Sequence, residues 1–131
     1  MATKRDVIAR GNAICQAAFR DAHAIPPPTQ STNLRSLASY LDRVAPIVEH
    51  EVGQLRALPR PSRDRELLER YLSALATSAA GYRALAAAAR RGDRDAVSSR
   101  IAALGSGPAI GLAARYGLNN CAESATNAGV S

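Results

Sequence analysis

Cys15 and Cys121 are the residues of this 131-residue chain whose types and spacing most invite chemistry. Thiols can bond to one another, attack an electrophile or bind a metal. Attack requires a neighbouring base or cation that favours the thiolate, and no C-x-x-C pair, histidine or basic residue is placed to provide one. Two Cys and two His are too few for an all-protein zinc site or an iron–sulfur cluster. Two readings stay open. The pair forms a disulfide, or each cysteine is a buried, reduced, small apolar residue. Cys15 lies on the inner stripe of the first helix and Cys121 just past the last. They meet if residues 118–121 fold back along helix one. That bond would close a loop of about 105 residues, for which chain entropy alone gives about 4.7 kcal/mol.

The other polar clusters reduce to local roles. Glu49-His50-Glu51 spaces three side chains about 100° apart round a helix, so they cannot converge on one metal. The ferritin-like Glu-x-x-His pattern needs a Glu where Ile47 stands, and the run reads as a solvated face. Glu66 and Glu69 share a face at i, i+3 among Arg63, Arg65 and Arg70, an arrangement that predicts surface ion pairs. Asp21 and His23 close the first helix, where a histidine meets the dipole favourably. Gly105-Ser106-Gly107-Pro108 lacks the lysine and preceding strand of a phosphate loop and reads as a helix break. In Arg91-Gly92-Asp93 the glycine ends one helix and the aspartate caps the next. No catalytic triad can be assembled. The reading is non-enzymatic, with no cofactor.

Charge supplies the leading binding candidate. Lys+Arg number 17 against 11 Asp+Glu, a formal +6, and Lys4 is the only lysine. Arg56, Arg60, Arg63 and Arg65 surround one turn and form a candidate anion-binding cluster. Alternating helices would bring Lys4, Arg5 and Arg115 to the same end. Acidic polymer, nucleic acid and anionic lipid headgroups are the partner classes this favours. The competing explanation places these cations at helix C-termini for the dipole alone. No recognition helix or aromatic stacking platform supports base-specific reading. Tyr71, Ser78 and Tyr82 put hydroxyls on an apolar stripe. They either reach the bundle edge or line a cavity for a small ligand.

The elements that position these residues are helical throughout. The chain holds 28 Ala, one Phe and no Trp, and no alternating strand pattern occurs. Thr3 and Asp6 spell a capping box. The stripe Ile8, Gly11, Cys15, Ala18, Ala22, Ile25, widened by Val7, Ile14 and Phe19, runs to Pro26-Pro27-Pro28. Ser31, Thr32 or Asn33 caps a second helix with Leu34, Leu37, Leu41, Val44, Val48, Val52 and Leu55 inward. Pro46 predicts a kink there, not a stop. Leu58-Pro59-Arg60-Pro61 ends it, and Ser62 is the expected cap of the third. That helix carries Leu68, Tyr71, Leu75, Ser78, Tyr82, Leu85 and Ala89 inward. A fourth carries Val97, Ile101 and Leu104, breaks near 105–108 and resumes with Ile110, Ala113 and Tyr116. The expectation is an all-α, antiparallel up-down-up-down four-helix bundle over residues 1–121, with a frayed tail over 122–131. No apolar run approaches the roughly 20 residues that span a bilayer.

The two cysteine segments carry a resemblance. The run Arg5-Asp6-Val7-Ile8-Ala9-Arg10-Gly11-Asn12-Ala13-Ile14-Cys15 resembles the start of the mature region in uncharacterised secreted or lipoprotein-type helical proteins of high-GC actinobacteria. Tyr116-Gly117-Leu118 followed by Cys121 resembles their closing segment, and the proline breaks at 26–28 and 58–61 fit. The resemblance implies an extracytoplasmic home and no particular activity. Met1 to Asp6 contains no apolar signal core, so a targeting or anchoring segment is expected outside this chain, with cytoplasmic residence as the alternative. The function expected is an interaction or accessory module of the cell envelope. The alternatives are a basic binder of acidic polymer or nucleic acid, and a small-ligand carrier using the bundle core.

Overall fold

The computed structural model describes residues 2–28 and 33–127, with side chains to residue 123. It is all-helical, with no strand among the described residues. Helix α1 spans Lys4–His23. Its capping box forms: Asp6 N donates to Thr3 Oγ1 at 3.2 Å, and Thr3 N to Asp6 Oδ2 at 2.9 Å. Helix α2, Leu34–Arg56, starts at Asn33, whose Oδ1 accepts from Ser36 N at 3.2 Å, and it continues through Pro46. The alternative caps Ser31 and Thr32 lie outside the described residues.

Helix α3 spans Arg65–Arg90, and its start departs from the expected Ser62 cap. Asp64 is the N-cap, in a left-handed conformation (φ 55°) with no side-chain cap bond. Its carboxylate bonds Lys4 Nζ at 2.6 Å instead. A long-range ion pair has displaced a local cap.

Helix α4 spans Arg94–Gly105, capped by Asp93 Oδ1 accepting from Ala96 N at 3.0 Å. Helix α5, Ala109–Tyr116, follows the expected break. Helix α6, Asn119–Asn127, is separate again. The chain thus has more helices than the four expected, and residues 122–127 of the expected tail belong to α6. Residues 128–131 lie outside the described residues. The extra turn arises at Gly117 (φ 104°), where Leu118 N donates to Ala113 O at 2.9 Å. This glycine-based end reverses the backbone and sends the following residues along α1.

α1 packs on α2 and α6, while α3 packs on α2, α4 and α5. Two cores result. One joins Val7, Cys15, Leu55, Leu68, Tyr116, Leu118 and Cys121 across α1, α2, α3, α5 and the start of α6. The other joins Leu37, Leu41, Leu85, Ala86, Ala88, Ala89 and Val97 across α2, α3 and α4. Among the described residues, no helix is long and apolar enough to cross a membrane.

Candidate functional site

The first core holds the cysteines. Cys15 Sγ and Cys121 Sγ stand 2.05 Å apart, at disulfide distance, with Cα atoms 5.0 Å apart. Both residues are buried. Gly11, one turn before Cys15, lets the returning chain come close: a Cβ there would sit 2.6 Å from Leu118 Cδ2. Asn12 Oδ1 accepts from Asn120 N at 3.0 Å and fixes the same seam. The fold-back of 118–121 along helix one, which the cysteines require, is therefore present.

The basic end is assembled by the Lys4–Asp64 pair, which brings the start of α1 to the α2–α3 turn. Lys4 Nζ also lies 4.7 Å from the centroid of the Tyr116 ring. Lys4 holds the Asp64 carboxyl below its ordinary range, chiefly by hydrogen bonding. Of the expected anion-binding residues, Arg60 is already engaged. Its Nε donates to Glu69 Oε1 at 2.9 Å and its Nη1 to Leu58 O. Arg60, reaching from the turn, takes the Glu69 pairing expected of Arg63, Arg65 or Arg70. Arg56, Arg63 and Arg65 are exposed and have no salt bridge among the described residues.

The Glu49-His50-Glu51 run is not one solvated face. Glu49 forms a two-pronged bond to Arg83 of α3, at 2.8 Å from Nε and 2.7 Å from Nη2. That bonding holds its carboxyl below the ordinary range. His50 is exposed. Glu51 is half-buried, and burial pushes its carboxyl up to about 7. No salt bridge or hydrogen bond reaches it among the described residues. Burial raises the Tyr71 and Tyr82 hydroxyls, with the charge of Glu51 adding to both. Tyr71 is buried, whereas Ser78 and Tyr82 are half-buried.

The periodicity held a signal for Glu51 that run-wise reading misses. Glu51 stands three residues after Val48 and four before Leu55, so it shares their inward stripe. The remaining motifs keep structural roles. Gly92 is left-handed (φ 70°) just after α3, and Asp93 caps α4. His23 stacks on Phe19 with ring centroids 4.0 Å apart, and its Nδ1 lies 3.2 Å from Phe19 O.

No protein-family model, curated protein or solved structure matches this chain.

Proposed function

We propose that this chain is a non-enzymatic helical module of an oxidising, extracytoplasmic compartment, serving as an interaction or accessory component of the cell envelope. The observation that carries this reading is the Cys15–Cys121 pair at disulfide distance. Disulfides persist in oxidising compartments and are rare in the cytosol. The likeness of both cysteine segments to secreted or lipoprotein-type actinobacterial proteins points the same way. In architecture we infer a variant of the up-down-up-down bundle in which α4 and α5 together replace the fourth rod. The packing of α3 on both supports this.

The test is thiol alkylation of acid-quenched cells of the native host, followed by intact mass measurement with and without reductant. Labelling of neither cysteine without reductant, on a monomer, supports the reading. Free labelling of both overturns it and moves the protein to the cytoplasm.

A second reading rests on Arg56, Arg63 and Arg65, which lie exposed around the α2–α3 turn with no salt bridge among the described residues, although Asp64 stands beside Arg63. It makes this end a docking surface for acidic polymer, nucleic acid or anionic lipid headgroups. Retention on heparin at low salt that R56A/R63A/R65A abolishes supports it; equal retention of the variant overturns it. The core-carrier reading rests on Glu51 beside Tyr71 and Tyr82. Native mass spectrometry of freshly isolated protein tests it, with a co-purifying small molecule in support and bare chain against.

A further inference from the structure

A cleft lies about 20–30 Å from Arg56 and the α2–α3 turn, reckoned along α2 at 1.5 Å per residue. Its volume is about 360 Å³, and its lining comprises Pro26, Pro28, Arg35, Ser36, Ser39, Tyr40 and Arg43. The α2 residues repeat on a helical pattern. Arg35, Ser39 and Arg43 stand at i, i+4, i+8, and Ser36 and Tyr40 form the adjacent i, i+4 row, so all five share one face. They supply two guanidinium groups and three hydroxyls. Among the described residues, no carboxylate lines the cleft. Asp42, beside Arg43, is bonded to Arg90 Nη1 at 2.5 Å. Neither Arg35 nor Arg43 has a salt bridge among the described residues. Pro26 and Pro28 complete the lining, with backbone φ held and no N–H to offer.

Guanidinium groups match tetrahedral oxyanions with paired N–H donors, and charge-assisted bonds are the strong ones. Two arginines on one face favour a dianion over a monoanion. Arg35 and Arg43 are exposed, and the cleft beside them opens to solvent while Pro26, Pro28 and the Tyr40 ring line it with carbon. The volume falls near the lower end of small-molecule sites. It exceeds what a phosphoryl group alone needs, and Pro26, Pro28 and the Tyr40 ring are suited to a flat or apolar body. We propose that this cleft binds a small, soluble phosphate monoester, its phosphoryl group held by Arg35 and Arg43 and its organic part lying against Tyr40 and the prolines. The site is independent of the Arg56, Arg63 and Arg65 surface and of the state of the cysteines.

The experiment is calorimetric titration of the full chain with phenyl phosphate, inorganic phosphate and phenol, and with phosphatidic-acid vesicles in a parallel arm. The expected order is phenyl phosphate over inorganic phosphate, with phenol not binding. R35A/R43A should weaken phenyl phosphate by about tenfold or more, as loss of charged hydrogen bonds requires. R63A/R65A should leave it within about twofold, since distant surface charges couple weakly in salt. Both variants change exposed residues, and circular dichroism verifies their fold. Equal weakening by the two variants, or undiminished binding by R35A/R43A, overturns the proposal. So does R35A/R43A-sensitive binding of vesicles without binding of phenyl phosphate, which assigns the site to a lipid headgroup.

Discussion

The two cores of this protein are built on opposite plans. The core around Leu118 joins early and late parts of the chain, through contacts such as Gly11 with Leu118 and Cys15 with Cys121, which lie more than 100 residues apart in sequence. The core around Leu85 uses α2, α3 and α4, consecutive helices joined by short turns, and much of its inner surface is alanine. Contacts close in sequence cost little loop entropy to form; remote ones cost more and benefit most from a covalent tie. Alanine buries little area per residue, so the second core depends on helix proximity. Gly81 illustrates this, since a Cβ there would lie 2.8 Å from Leu104 Cδ2. The tie sits in the core that needs it.

Reduction should give the largest effect. With Cys15 and Cys121 bonded, the chain-entropy limit for a loop near 100 residues is about 4.7 kcal/mol. Chemical denaturation with and without reductant should show a loss of that order. Hydrogen exchange should then rise first in α1, α5 and α6 while α2 to α4 keep their protection. Uniform loss across both cores would erase the contrast.

Next comes the contact between Gly11 and Leu118. Leu118 is fully buried, and L118A should cost about 3 kcal/mol. G11A should cost about 2 kcal/mol by overpacking against the leucine. The double variant should be more stable than the sum predicts, because the shortened side chain removes the clash. Additive costs in urea unfolding would mean that another neighbour sets the close approach.

Glu51 gives a pH-dependent effect between the two cores. Its carboxyl is raised from an ordinary 4.5 to about 7 in the folded protein. The native state therefore holds its proton where the unfolded chain has lost it. Stability falls as pH rises from about 4.5 through about 7 and levels off above. Glu51→Gln should be the more stable form at pH 8, by up to about 3 kcal/mol, and lose that advantage at pH 4. Melting curves of both proteins across this range give the answer, and parallel pH profiles would place Glu51 in water.

Gly53 marks the small end of the scale, with opposite sign. A Cβ there meets nothing within 4 Å, so Gly53→Ala should stabilise α2 by about 0.5–1 kcal/mol. Set beside G11A, it separates a glycine needed for space from one that only loosens a helix. A destabilised Gly53→Ala in the same melts would remove that distinction.

What could be read from residues alone was what depends on near neighbours. Thr3 with Asp6, Asp93, Gly92 and the break at 105–108 each signal through residues within one or two turns, and each took its expected part. What escaped depends on distant partners. Asp64 stands at the N-cap of α3 in place of Ser62, with its carboxylate on Lys4, 60 positions away, and not on the helix. Arg60 folded onto Glu69 and Leu58 O, which its place in a cationic run does not reveal. Glu51 was masked by its company: two polar neighbours hid a position that the inward stripe includes. The Arg35–Arg43 cleft needs Pro26 and Pro28, which precede α2 in sequence and lie outside its helical pattern, so no local pattern announces it.

The joined cysteines also change what a cut does. Every turn that joins α1 through α6 lies between residues 15 and 121. A protease that opens the exposed Arg63 and Asp64 turn creates a new pair of ends and no free fragment. The nicked protein would weigh one water more than the intact one and separate into two pieces only in reductant. In covalent terms residues 15–121 form a ring, and a single scission converts it into an open chain that keeps all its parts.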